Sequence, residues 1–102
     1  MPRATLLLRE KVIDDDGNIL EVVVWRVAAT QRSVSGVRYR LAFVRHMEPL
    51  PAVLYDNHSP KGHHRHIEGV EAPYDFLDVE KLLEDFLDDV RRISGDDRWA
   101  RR

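Results

Sequence analysis

The sequence contains no cysteine in its 102 residues, which excludes a disulfide framework and a thiolate metal site. That composition fits a reducing cytoplasm. Long apolar runs are also missing. The N-terminus has only Leu6–Leu8, too short for the core of a signal peptide, and no stretch approaches the roughly 18 apolar residues of a membrane span. We therefore expect a small, soluble, cytoplasmic protein.

A large excess of one charge is missing as well. Charged residues make up 33% of the chain, yet the formal net charge is only -2. Residues 1–50 hold 8 basic and 6 acidic side chains, whereas residues 51–102 hold 8 basic and 12 acidic ones. This balance argues against a general nucleic-acid coat protein but leaves a local basic surface open. With 43% hydrophobic residues, the chain is expected to form a single domain over residues 1–102.

Residue patterns predict an antiparallel sheet followed by one helix. The strands are expected at 5–13, 19–27, 37–46 and 52–55, with an irregular fifth strand within 67–74. The helix is expected to begin after the N-cap Asp78 and to end at Gly95, leaving residues 95–102 as a tail. The sequence thus predicts an α+β fold in which four to five antiparallel strands pack on one face against a long C-terminal helix.

Side-chain alternation in the third strand places two arginines together. Because the apolar residues of this strand alternate with them, Arg38 and Arg40 are expected to project side by side from the face opposite the core. Guanidinium groups make bidentate bonds to phosphate oxygens, so the pair suits a phosphate site. Paired arginines on an open sheet face are more often solvated, and spacing alone favours that interpretation.

The segment from Tyr55 to His66 carries four of the five histidines, and we call it the histidine segment. Serine, proline and glycine within it disfavour a helix or a central strand, so its polar groups are expected to lie on a loop. Imidazoles transfer protons near neutral pH and bind metals. If the chain is extended at the end of the segment, His64 and His66 face one side and Arg65 the other.

Three functions suit the histidine segment. The first is metal-free RNA cleavage, with His64 and His66 as base and acid and cations to hold the phosphate. Those cations are Arg38, Arg40, Lys61 and Arg65. The second is metal binding, although the spacing matches no established zinc signature and adjacent histidines seldom bind one ion together. Its ligands would come from Asp56, His58, His63, His64 and His66. The third is a structural or partner-binding role without chemistry, which the residues alone favour.

Several short motifs, each weak alone, form a specific combination. They are Leu6-Leu7-Leu8-Arg9-Glu10-Lys11, Asp16-Gly17, Glu21-Val22-Val23-Val24-Trp25-Arg26-Val27, Arg38-Tyr39-Arg40-Leu41, Tyr55-Asp56-Asn57, Lys61-Gly62, His64-Arg65-His66, Pro73-Tyr74 and Asp85-Phe86. Together they resemble the TumE family, small bacterial toxins of toxin–antitoxin modules. The loop of that family usually reads glycine, lysine, glycine, aspartate, histidine, arginine, histidine. In this chain Pro60 replaces the first glycine and His63 replaces the aspartate.

The resemblance implies growth inhibition, neutralised by a cognate antitoxin that we expect to be a DNA-binding protein. By analogy with other small toxins, it favours a metal-independent ribonuclease without a cofactor. The catalytic group would be His64, His66 and Lys61. RNA would be bound by Arg38, Arg40 and Arg65, and the loop supported by Tyr55, Asp56, Asn57 and His63.

Three alternatives stay open beside the ribonuclease: a non-enzymatic toxin that binds a protein, an interaction module, and a protein that holds a divalent metal in the histidine segment. No membrane partner is expected. A homodimer, formed through an exposed edge strand or the tail around Trp99, also stays open.

Overall fold

The computed structural model describes residues 4–29, 35–58 and 62–96. One sheet contains six antiparallel strands in chain order. They are β1 (Thr5–Ile13), β2 (Ile19–Arg26), β3 (Val37–Val44), β4 (Val53–Asp56), β5 (His64–Ile67) and β6 (Val70–Pro73). Helix α1 (Val79–Ser94) follows the sheet, which confirms the α+β class. No helix in this part of the chain has the length and apolar character that crossing a bilayer requires.

The predicted number of four to five strands is wrong, because the last part of the sheet is a hairpin. Ile67 pairs with Val70 across a turn formed by Glu68 and Gly69. Both turn residues have positive φ angles, 50° and 83°, as a type I′ turn requires. Gly69 therefore reverses the chain instead of interrupting one strand. The end of the histidine segment, from His64 onward, is consequently a strand and not a loop.

Helix α1 has the predicted ends. At its start, Asp78 accepts a hydrogen bond from the backbone N–H of Lys81 at 2.7 Å. At its end, Gly95 has a φ of 69°, and its N–H donates to the carbonyl of Arg91 at 2.8 Å. Glycine enters this left-handed conformation without the steric cost that a Cβ brings. The tail beyond residue 96, including Trp99, lies outside the described residues.

The core lies between α1 and one face of the sheet. The helix contributes Leu82, Phe86 and Val90, all fully buried. The strands contribute alternate residues: Leu20, Val22, Val24, Val37, Tyr39, Leu41, Phe43, Val53 and Tyr55. Burying each large apolar side chain stabilises the fold by about 1.5–3 kcal/mol. We call the opposite side of the sheet, which α1 does not cover, the outer face.

Candidate outer-face site

The sheet register assembles a row of ionisable side chains on the outer face. Arg40 on β3 lies opposite Asp56 on β4, and Asp56 lies opposite His64 on β5. Because neighbouring strands are about 4.8 Å apart, the row from Arg40 to His64 spans about 10 Å. Arg38 and His66 share this face but are displaced from the row in opposite directions, since the register places His66 level with Ala42, four positions from Arg38. Residues from two separate segments therefore meet on one surface.

The centre of the row is the pair formed by Asp56 and His64. The imidazole Nδ1–H donates to the carbonyl of Gly62 at 2.9 Å, and Nε2 lies 2.5 Å from Asp56 Oδ1. The carboxylate oxygen still has no hydrogen-bond partner in the described part of the chain, because this close contact is not aligned with a ring N–H. Because the Gly62 carbonyl can only accept, Nδ1 of His64 carries a proton, and Nε2 is the ring nitrogen that lies beside the carboxylate.

His66 and Glu71 extend this centre toward β6. The rings of His64 and His66 are 5.0 Å apart between centroids, with their planes inclined by 74°. Glu71 Oε1 lies 3.8 Å from His64 Nε2 and 3.9 Å from His66 Nε2. The His66 side chain is 28% exposed, whereas that of His64 is only 11% exposed. Solvent or a substrate therefore reaches His66 more easily.

Three of these side chains also have an arrangement that can hold a metal ion. Asp56, His64 and His66 each offer one ligand atom, and these atoms all lie within 4.8 Å of one another. Two imidazoles and a carboxylate suit a divalent transition metal. The other ligands considered from the sequence, His58 and His63, are not part of this group among the described residues.

Depressions flank the row on both sides. One, of about 210 Å³, is lined by Val23, Trp25, Arg38, Tyr39, Arg40 and His58. Another, of about 380 Å³, is lined by His63, His64, Glu71, Ala72 and Pro73. A cavity of about 250 Å³ elsewhere on the sheet, around Arg45 and Glu68, has no histidine among its lining residues. The groups suited to acid–base chemistry therefore concentrate on the outer face.

The arginine side of the site includes a residue that the sequence did not single out. Trp25 lies opposite Arg38 in the β2–β3 register and lines the same depression. Its alternation with the buried Val24 predicts that Trp25 lies on the outer face, but only the register shows which arginine it adjoins.

Arg40 forms a surface ion pair with Glu21. The two charged groups are 3.8 Å apart, and both side chains are at least 40% exposed. Such a surface pair contributes about 0–1 kcal/mol, so a phosphate can replace Glu21 at little cost.

Arg65 lies on the opposite side of the sheet, as its position between His64 and His66 requires. Its Nη1 donates to Asp89 Oδ2 and to the hydroxyl oxygen of Tyr55, both at 3.2 Å. The Tyr55 hydroxyl also donates to Asp89 Oδ2, and Asp89 is only 7% exposed. Burial, and then the hydrogen bond to Asp89, raise the pKa of Tyr55 well above its ordinary value. Arg65 thus connects β5 to α1, away from Arg38 and Arg40.

Asn57 and His63 hold the two ends of the connection between β4 and β5. Asn57 continues the strand pairing with its side chain, accepting from the Tyr39 N–H at 2.9 Å and donating to the Val37 carbonyl at 2.7 Å. His63 stacks on Phe76 at 4.9 Å between centroids and shares a 2.8 Å hydrogen bond with the Tyr39 hydroxyl. Desolvation, and then the charge of the neighbouring histidine, lower the pKa of His63. A neutral, structural imidazole results.

Lys61, the remaining residue of the predicted catalytic group, lies outside the described residues. The described part of the group is therefore the pair of histidines on β5.

The comparison with known proteins gives one match. The model of a protein family described as Toxin TumE matches residues 3–94. This range includes all six strands and the whole of α1. No curated protein and no solved structure gives a significant match.

Proposed function

The chain belongs to the TumE toxin family, and from this premise we propose that it arrests growth by cleaving RNA on the outer face, without a metal cofactor. In this proposal His64 and His66 transfer protons while Arg38 and Arg40 bind the phosphate. One observation carries it: the sheet register places both histidines and both arginines, which come from separate segments, on the same face. A proton-transfer pair on the same face as a cationic pair, with Arg40 the nearer arginine, supplies the groups that phosphodiester cleavage needs.

Single-stranded RNA is the substrate class that fits the arginine side. Arg38 and Arg40 would bind successive phosphates along the depression, and His58 lines its rim. The indole of Trp25 offers a surface on which a base can stack, an interaction worth about 1–3 kcal/mol per base. An extended RNA strand that lies over β2 and β3 and contacts Arg38 and Arg40 would bring its next phosphate toward the histidines on β5.

The proposed reaction is attack of a ribose 2′ oxygen on the adjacent phosphorus. His64 Nε2 takes the 2′ proton, because the Gly62 carbonyl fixes the other proton on Nδ1. The carboxylate of Asp56 stabilises the imidazolium that forms. His66 donates a proton to the departing 5′ oxygen, so the products are a 2′,3′-cyclic phosphate and a free 5′ hydroxyl. His64 then releases the proton that it took, and His66 regains the one that it gave, either by exchange with water or during hydrolysis of the cyclic ester.

His63 replaces the aspartate of the family loop, and in this proposal Asp56 supplies the carboxylate instead. Where the family has an aspartate before its first histidine, this chain has a neutral ring stacked on Phe76. Asp56 supports the proposal because it brings a carboxylate to His64 from β4. Lys61 stays in the proposed catalytic group as a further cation for the phosphorane, on grounds of sequence.

Toxins of this type imply a cognate antitoxin, and we include such a partner in the proposal. We expect it to be a DNA-binding protein that neutralises the toxin by covering the outer face. The basic residues Arg38 and Arg40 would then face an acidic segment of the antitoxin.

Cleavage of a purified single-stranded RNA tests the proposal. In the presence of EDTA the wild-type protein should produce fragments with cyclic phosphate ends, and His66→Ala should slow the reaction at least about 100-fold. His46→Ala is the matched control, since it removes an exposed histidine outside the site. RNA left intact by folded wild-type protein would contradict the proposal and favour the toxin that binds a protein.

A further inference from the structure

We propose that Asp56, His64 and His66 also form a binding site for one divalent transition-metal ion, for which zinc is the probe. Binding of the ion occupies both proton-transfer groups and therefore inhibits RNA cleavage. The metal site stands on its own geometry. Its inhibitory effect rests on the function proposed above.

The ligand atoms need only small movements to surround an ion. They all lie within 4.8 Å of one another, and His64 Nε2 is 2.5 Å from Asp56 Oδ1. Tetrahedral zinc, with bonds of about 2.0–2.2 Å, holds its ligand atoms about 3.4 Å apart. Side-chain rotations that move the ligand atoms by about 1 Å lengthen the shortest separation and shorten the longest toward that spacing. The backbone of β4 and β5 can stay in place.

A second observation is that Asp56 Oδ1, whose charge partner is His64 Nε2 at 2.5 Å, is buried without a hydrogen-bond donor in the described part of the chain. The residue as a whole is 9% exposed. Buried polar atoms are nearly always satisfied, so an exception calls for an explanation. A cation between Oδ1 and the Nε2 of His64 would satisfy this oxygen and the ring lone pair together.

The hydrogen bond from His64 to Gly62 also matches a metal ligand. A histidine that binds a metal through one nitrogen usually donates its other N–H to a carbonyl or a carboxylate. Here Nδ1–H donates to the Gly62 carbonyl at 2.9 Å, which orients the ring and leaves Nε2 for the ion. The outer shell of the site is thus already present.

Glu71 is placed to be the fourth ligand. Its Oε1 lies 3.8 Å from the Nε2 of His64 and 3.9 Å from that of His66. Two carboxylates and two neutral imidazoles would balance the double charge of the ion. This donor set contains no thiolate, so it selects zinc, nickel or cobalt rather than a soft monovalent ion.

An ion in this position changes what the histidines can do. Each Nε2 that binds the metal has no lone pair with which to take a proton and cannot carry one to donate. Cleavage should therefore fall as zinc is added and return when EDTA removes the ion. A toxin controlled in this way is least active where free zinc is highest.

Zinc binding is measured first, without RNA, on the full chain stripped with EDTA. Calorimetric titration of the wild type with zinc chloride should give one ion per chain, and the melting temperature should rise with zinc. His66→Ala and Glu71→Gln, whose side chains are partly exposed, should each weaken binding about tenfold or more while remaining folded. His46→Ala should bind zinc as the wild type does.

The metal site is overturned if the wild type binds no zinc at one equivalent, or if His66→Ala and Glu71→Gln bind it unchanged. RNA cleavage is then measured with zinc and with EDTA. Equal rates in the two conditions overturn the inhibition but leave the site. An absence of cleavage in both conditions overturns the proposed function and the inhibition with it, whereas calorimetry alone still decides the metal site.

Discussion

Asp56 and His64 are eight positions apart in the chain, yet Oδ1 of one lies 2.5 Å from Nε2 of the other across adjacent strands. The contact depends on the register of β4 and β5. A slip of one residue would turn one partner toward α1 and separate the pair. The arrangement of ionisable groups on the outer face therefore depends on strand pairing as much as on histidine content.

Replacing Asp56 tests what the carboxylate does for His64. In Asp56→Asn the imidazolium loses its neighbouring negative charge, so we expect RNA cleavage in EDTA to slow about 100-fold. Initial rates on a short single-stranded RNA measure this, with circular dichroism to verify folding. Asp88→Asn removes an exposed carboxylate from α1 and should leave the rate unchanged. A wild-type rate in Asp56→Asn would remove Asp56 from the mechanism.

The contribution of Arg38 and Arg40 to RNA binding should appear in the salt dependence of the affinity. If Arg38 and Arg40 each neutralise one phosphate, the slope of log affinity against log salt becomes shallower by about 0.7 for each phosphate that is no longer neutralised, or by about 1.4 in the double alanine variant. Fluorescence anisotropy with labelled single-stranded RNA measures the slope. Arg91→Ala, on the helix, should keep the wild-type slope. A double variant with that same slope would place RNA elsewhere.

The buried acid on α1 should matter more for stability than for the reaction. Asp89 accepts from Tyr55, Arg65 and Arg92, so Asp89→Ala leaves three donors without this partner. We expect a loss of about 3 kcal/mol in the free energy of unfolding, measured with urea. Tyr55→Phe removes one of these hydrogen bonds and should lose about 2 kcal/mol. A loss below about 1 kcal/mol in Asp89→Ala would mean that the helix is held by packing alone.

Asp85 predicts a pH dependence of stability. Burial opposes its ionisation, but hydrogen bonds from Lys81 at 2.8 Å and from Tyr74 at 2.7 Å outweigh it and lower the pKa of Asp85 below its ordinary 3.8. Because the folded pKa is the lower one, this stabilisation is present above pH 3.8 and is lost as the pH falls through the folded pKa. Asp85→Asn should therefore be about 1 kcal/mol less stable than the wild type near neutral pH.

The difference in the free energy of unfolding between Asp85→Asn and the wild type should disappear at acidic pH. Urea unfolding at a series of pH values measures both proteins under the same conditions. A difference that stays constant down to about pH 2 would show that the charge of Asp85 contributes nothing to folding.

Periodicity was enough to predict the layers of this fold and the sides of its strands. The alternation around Tyr39 placed Arg38 and Arg40 on the face away from the core, and the caps Asp78 and Gly95 gave the ends of α1. These signals are local, because each depends on the chemistry of residues close together in the chain. Local signals do not show which strands become neighbours.

The contacts that the sequence could not predict all depend on register. Nothing in the local pattern shows that Trp25 lies opposite Arg38, or that Glu71 reaches both histidines. The turn at Gly69 was missed because a glycine in an apolar stretch also fits an irregular strand. The hairpin places the two histidines on β5, between β4 and β6. Pairing with these strands brings Asp56 and Glu71 to the histidines.

The most direct test of RNA cleavage by β5 is induced expression of the wild type and of the double variant His64→Ala/His66→Ala. Growth and the integrity of total RNA are followed together, with His46→Ala as a control and soluble expression verified for each protein. We predict arrest with RNA breakdown in the wild type and in the control, and neither in the double variant. Arrest by the wild type with intact RNA, or by the folded double variant, would contradict the mechanism.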